Sequence, residues 1–133
     1  MQKRLTVFAF ILGLPLSGCG AKDEYEKICN AEQLSGAAAI ADPAEQHRVV
    51  AEWLRANVKN NDAIRGMSSL MVVAPLKRGE FVKQLAIEAG YDGPCPHADA
   101  MTARAISARA EHEREMAARE AAAPPPDAPP PTP

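Results

Sequence analysis

Aromatic side chains are scarce in this 133-residue chain: Phe, Tyr and Trp together make up 5%, with a single tryptophan, Trp53. No run of β-branched residues alternates with polar ones, so nothing in the pattern builds a sheet, and the alanine-rich remainder reads as helical. Histidine and cysteine are equally sparse, three of each. There is no C-x-x-C pair, no Walker loop, no G-x-S-x-G and no G-x-G-x-x-G, and His112-Glu113 lacks the second histidine of a zinc-protease helix. A basic excess is missing too. Fifteen Lys and Arg stand against seventeen Asp and Glu, a net charge of −2, which excludes the electrostatic footprint of a nucleic-acid binder. Long apolar runs are also absent. Leu5 to Leu16 would reach only about 18 Å as a helix against a hydrocarbon core of roughly 30 Å, and Gly13 and Pro15 weaken its far end.

What is present is a positive start, Lys3-Arg4, then that short apolar run, then Leu16-Ser17-Gly18-Cys19. Small residues closing a short apolar segment describe a removable signal rather than a spanning helix. Ser17-Gly18 alone would also suit an ordinary secretory cleavage site. With cysteine directly after Leu-Ser-Gly, the segment resembles the lipobox of bacterial lipoproteins. That resemblance implies cleavage before Cys19, a thioether-linked diacylglycerol on its sulfur and an acylated amino terminus. One acyl chain anchors marginally at about 0.8 kcal/mol per buried methylene, whereas two or three hold durably. Gly20 follows in place of an aspartate, which by analogy with lipoprotein sorting implies the outer membrane, facing the periplasm. Loss of residues 1–18 also removes Lys3 and Arg4, so the remainder becomes more acidic and membrane contact falls to lipid rather than charge. Beyond the lipobox the chain resembles small two-cysteine helical envelope lipoproteins, a resemblance that carries no activity.

Composition divides the chain into four parts: a signal peptide at 1–18, a lipid-anchored small helical domain at 19–96, an Ala/Arg/Glu-rich helix at 97–123 and a Pro-rich tail at 124–133. The fold class expected is all-α, a small four-helix bundle or array followed by a long exposed charged C-terminal helix and a disordered tail. The first helix spans about Ala21 to Leu34, with Tyr25, Ile28, Cys29 and Glu32 near one face. Asp42-Pro43-Ala44-Glu45 starts the second, with an aspartate cap, a proline at the first helical position and a glutamate three residues beyond the cap. Val49, Val50, Trp53, Leu54 and Val58 form its stripe. Asn60-Asn61-Asp62 separates it from a third helix, whose face is read as Ile64, Met67, Leu70 and Met71, with Val72 and Val73 adding bulk. A fourth helix runs from Pro75 to Ala89 and buries Phe81, Val82, Leu85, Ala86 and Ala89 before Gly90 stops it. In the last helix Arg109 with Glu113, and Glu115 with Arg119, are spaced to pair. Around Met101 and Ile106 this helix is expected to pack on the bundle, and beyond about Ala110 to project. The tail, seven prolines in ten residues, reads as extended polyproline II.

If Cys19 carries lipid, Cys29 and Cys95 remain as an even pair in an oxidising compartment, and a disulfide between them is expected. The loop of about 67 residues it closes is worth roughly 4 kcal/mol in the chain-entropy model. The competing use of Cys95 is as a metal ligand with His97 and Asp99, joined by Cys29 or His47. His97, between a proline turn and a helix, reads more simply as a surface or capping residue. Glu24, Glu26, Glu32, Glu45 and Glu52 read as acids on solvated helix faces. Trp53 reads as core, with a groove beside Val50 and Leu54 as the alternative. Together these give no catalytic residues, no metal and no cofactor. The expectation is a non-catalytic envelope lipoprotein acting as a structural or interaction module. It would be held in the membrane through lipid on Cys19 and contact another envelope protein or peptidoglycan. The alternative is a small-ligand or metal-binding lipoprotein using the Trp53 groove or the Cys95/His97 corner.

Overall fold

The computed structural model describes residues 19–123 and is all-α, with no strand among the described residues. Residues 1–18, where a signal and the Leu16-Ser17-Gly18 part of a lipobox are expected, and the Pro-rich segment 124–133 lie outside the described residues. Six helices follow in order: α1 Cys19–Cys29, α2 Ala31–Leu34, α3 Pro43–Asn57, α4 Asn61–Ser69, α5 Arg78–Glu88 and α6 Pro96–Ala122. Short 3₁₀ turns occur at Ala37–Ala39, Leu70–Val72 and Pro75–Lys77.

The start and stop signals act as their chemistry requires. Asp42 caps α3 by accepting the Ala44 N–H at 2.9 Å, with Pro43 at the first helical position. Glu45 does not reach back to the cap and pairs with Arg48 instead. Asn60 caps α4 through its side-chain oxygen, taking the N–H groups of Asp62 and Ala63. Gly90 ends α5 at φ 89°. The Tyr91 N–H returns to the Ala86 carbonyl and the Gly90 N–H to that of Ile87, which makes a Schellman motif. The single first helix expected over 21–34 is split at Asn30, whose side chain takes the Glu26 carbonyl and competes with helical continuation.

The main core gathers Tyr25, Ile28 and Cys29 of α1 against Val82 and Ala86 of α5 and Ala98 of α6, closed by Ala63 and Leu70. The face foreseen for the first helix is therefore real, and the α5 stripe buries Val82 and Ala86 with Phe81, Leu85 and Ala89 partly covered. α5 and α6 approach so closely at Gly79 that a Cβ there would collide with the Ala98 carbonyl and the Thr102 hydroxyl. The glycine inside the helix is the condition for that contact. A smaller cluster of Ala31, Ala37 and Val50 carries Val49 and Trp53 on its outer side. Its alanines are too short to enclose an indole, so Trp53 ends half-buried rather than central.

The third apolar face departs most from its periodicity. α4 stops at Ser69, and the 3₁₀ turn that follows has three residues per turn, which rotates Met71 and Val72 out of the helical stripe. They are 81% and 90% exposed. α6 divides in function along its length. Its opening turns bury His97 and Ala98 and partly cover Met101, whereas every described residue from Ile106 onward is exposed. The Arg109–Glu113 pair forms at 2.8 Å.

Candidate functional site

The disulfide joins the last residue of α1 to the residue that precedes α6: Cys29 and Cys95 are bonded, with Cα atoms 4.2 Å apart. Glu32 follows the first cysteine by three residues and His97 the second by two. Each is within one helical turn of the bridge, and the bridge brings them together. His97 Nδ1 lies 3.0 Å from Glu32 Oε1, and the same oxygen accepts from Arg104 Nη2 at 2.7 Å. Arg104 sits two turns along α6 from His97, on the same face. The His97 and Glu32 side chains are 5% and 8% exposed.

Burial alone would raise the Glu32 carboxyl. The hydrogen bonds from His97 and Arg104, together with the Arg104 charge, outweigh it and hold Glu32 at about 2. Glu32 is therefore ionised at neutral pH and can only accept. That puts the shared proton on His97 Nδ1 and turns Nε2 to the opposite side of the ring. No described residue hydrogen-bonds Nε2, yet among the described residues no fully enclosed side-chain nitrogen or oxygen is left unpaired. Nε2 therefore opens onto space, and the space that His97 lines is a groove.

That groove has a volume of about 470 Å³, within the size range of small-ligand sites, and runs between α3, the end of α4 and α6. Val50, Leu54, Met67, Leu70 and Met101 supply apolar walls, and His47, Arg78, His97 and Arg104 supply its nitrogen groups. None of the described residues lining it carries a carboxylate, hydroxyl or thiol. A carboxylate-oriented imidazole can act as a base or hold a ligand. The second histidine of the groove, His47, lines it from α3.

The sequence expectations for this region divide. His97 is buried in a charged cluster rather than at the surface, because Glu32 arrives from 65 residues away to receive it. Glu32 is equally far from a solvated face. Glu24 is buried as well: it accepts from the Lys59 N–H and pairs with Lys27, tying α1 to the α3–α4 turn. Cys95, His97 and Asp99 do not converge. The first is in the disulfide, the second faces Glu32, and the third pairs with Lys83 at 2.6 Å. Among the described residues no group of three or more His, Cys, Asp or Glu side chains is placed to hold a metal ion. The groove lies beside Val50 and Leu54, as the alternative reading had it, but Trp53 does not line it. Glu32 and Arg104 were missed as partners. The signal that would have found them is their position, one turn past Cys29 and two turns past His97, once the disulfide is granted.

Comparison with known protein families, with curated proteins and with solved structures finds no match to this chain.

Proposed function

We propose that this chain is a lipid-anchored protein of the bacterial cell envelope, held through Cys19 at the periplasmic face of the outer membrane. Its disulfide-bonded helical domain acts as a non-catalytic interaction module. The observation that carries the interaction role is α6. From Ile106 to Ala122 it is exposed on every side, a rod of about 25 Å at 1.5 Å per residue projecting from a domain that buries only its first turns. A helix this polar and this long has little of its own to stay folded for, and a surface partner gives it a use. The Cys29–Cys95 bond supports export, since such bonds persist in oxidising compartments. The acidic balance supports attachment by lipid rather than by basic residues.

The test is photo-crosslinking in the source cells from a probe at Ala117, with a probe at the exposed Gln84 of α5 as the comparison. A discrete adduct from Ala117 and none from Gln84 fits the reading. Adducts from Gln84 alone, or from neither position, contradict it. A second reading, small-ligand binding, is favoured by one specific observation: the apolar groove lined by His97, whose Nε2 has no described partner.

A further inference from the structure

We propose that the groove between α3, the end of α4 and α6 is a site for a single-chain amphiphile ending in a carboxylate. Its carboxyl head group would bring one proton with it and share that proton with His97 Nε2, which the Nδ1–Glu32 bond leaves as an acceptor. Its other oxygen would accept from the Arg78 guanidinium, and its chain would lie on Val50, Leu54, Met67 and Met101. This deepens the ligand-binding reading and rests on it.

Three independent features point to that chemistry. The first is the histidine. His97 is more than nine-tenths buried, is fixed from behind by an ionised carboxylate, and directs a ring nitrogen without a described partner into the groove. Because that nitrogen is not fully enclosed and has its lone pair free, a bound group that donates to it gains a hydrogen bond there. The second is charge. The Arg104 charge is taken up by Glu32, whereas Arg78 has no carboxylate within ion-pair distance among the described residues. The Arg78 Nε donates to the Val73 carbonyl at 3.0 Å, which braces the guanidinium and leaves its terminal nitrogens for another acceptor. One uncompensated arginine sharing the groove with two imidazoles, with no carboxylate among the described lining residues, complements a monoanion better than a dianionic phosphate. The third is the walls. Methionines 67, 71 and 101 give an adaptable, polarisable surface suited to a flexible alkyl chain, and Met71, at 81% exposure, leaves the rim open to entry.

The experiment is calorimetric titration of the full chain carrying Cys19→Ser, so that no acyl chain of its own competes. Decanoate, decanol and decyltrimethylammonium are each used below their micellar concentrations. Decanoate is expected to bind one per chain, about tenfold or more tighter than decanol, as one charge-assisted hydrogen-bond pair implies, and the cation more weakly still. Arg78→Gln, at a half-buried position, should remove that margin for decanoate while leaving decanol unchanged. Met101→Trp should fill the groove and abolish both. Circular dichroism melting confirms that each variant is folded. Equal binding of decanoate and decanol would leave the ligand-binding reading standing and overturn the carboxylate assignment. No binding of any probe would overturn both. Self-association that Met101→Trp abolishes, without amphiphile binding, would give the groove to a second copy and overturn the proposal. A chain ending at Ala123 that binds decanoate far more tightly would overturn it in favour of the Pro-rich tail as occupant.

Discussion

Glu32 and His97, 65 residues apart in sequence, meet in a buried hydrogen bond of 3.0 Å beside the disulfide that closes the domain. The bridge and the bond reinforce each other. The bridge holds the start of α6 against the end of α1, and the bond, shared with Arg104, satisfies the one carboxylate that this packing buries between α2 and α6.

Acid should loosen the domain through Glu32. Its folded value is depressed to about 2 from an ordinary 4.5, so its stabilisation is fully present above pH 4.5 and is lost as pH falls through about 2. The size is roughly 3 kcal/mol at about 1.4 kcal/mol per unit. Denaturant unfolding from pH 7 to pH 2 should show wild type losing that much more stability than Glu32→Gln across the window. Parallel pH profiles for the two proteins would contradict it. Glu24, also held below the usual carboxylate range against its own burial by Lys27 and the Lys59 N–H, is common to both and cancels.

Replacing both Cys29 and Cys95 by alanine should cost up to roughly 4 kcal/mol, the entropy of a loop whose ends are 66 residues apart. In a domain of this size that lowers Tm by more than about 10 °C. Thermal melts with and without reductant should show wild type falling toward the double variant, which itself should not respond.

Gly79→Ala forces α5 away from α6, since the added methyl meets backbone and hydroxyl rather than the end of a flexible side chain. Overpacking of this kind costs about 1–3 kcal/mol, against the small gain alanine normally brings inside a helix. Urea unfolding should show a net loss. A gain would mean that the two helices can separate freely.

Breaking the exposed half of α6 should leave the domain untouched. Ala117→Pro removes local helicity, seen as reduced ellipticity, while the unfolding midpoint of the core moves by no more than about 0.5 kcal/mol, as for surface changes elsewhere. A large drop in core stability would show that the rod packs on the domain.

Much of this architecture was legible locally. Asp42-Pro43, Asn60 and Gly90 act through their own backbone neighbours, so composition and spacing place α3, the start of α4 and the end of α5 within a residue or two. The α1 face of Tyr25, Ile28 and Cys29 was equally readable from helical period. The site was not. Whether Glu32 is solvated or buried depends on His97 and Arg104, which lie 65 and 72 residues away, and no local pattern encodes such a partner. Met71 and Val72 failed for a different reason: an apolar stripe assumes 3.6 residues per turn, and the 3₁₀ turn before Pro75 breaks that assumption. Trp53 was misjudged because apolar size was taken for centrality, whereas Ala31 and Ala37 leave no depth to bury it.

The reading of this protein as a lipid-anchored envelope module turns on Cys19, and the intact mass of the protein purified from its own membranes tests it most directly. The account predicts a chain beginning at Cys19 and heavier than its sequence by a diacylglyceryl group plus an amide-linked acyl chain, with Cys19→Ala yielding no such species. A chain that retains Met1, or one beginning near Cys19 with an unmodified thiol, would contradict it.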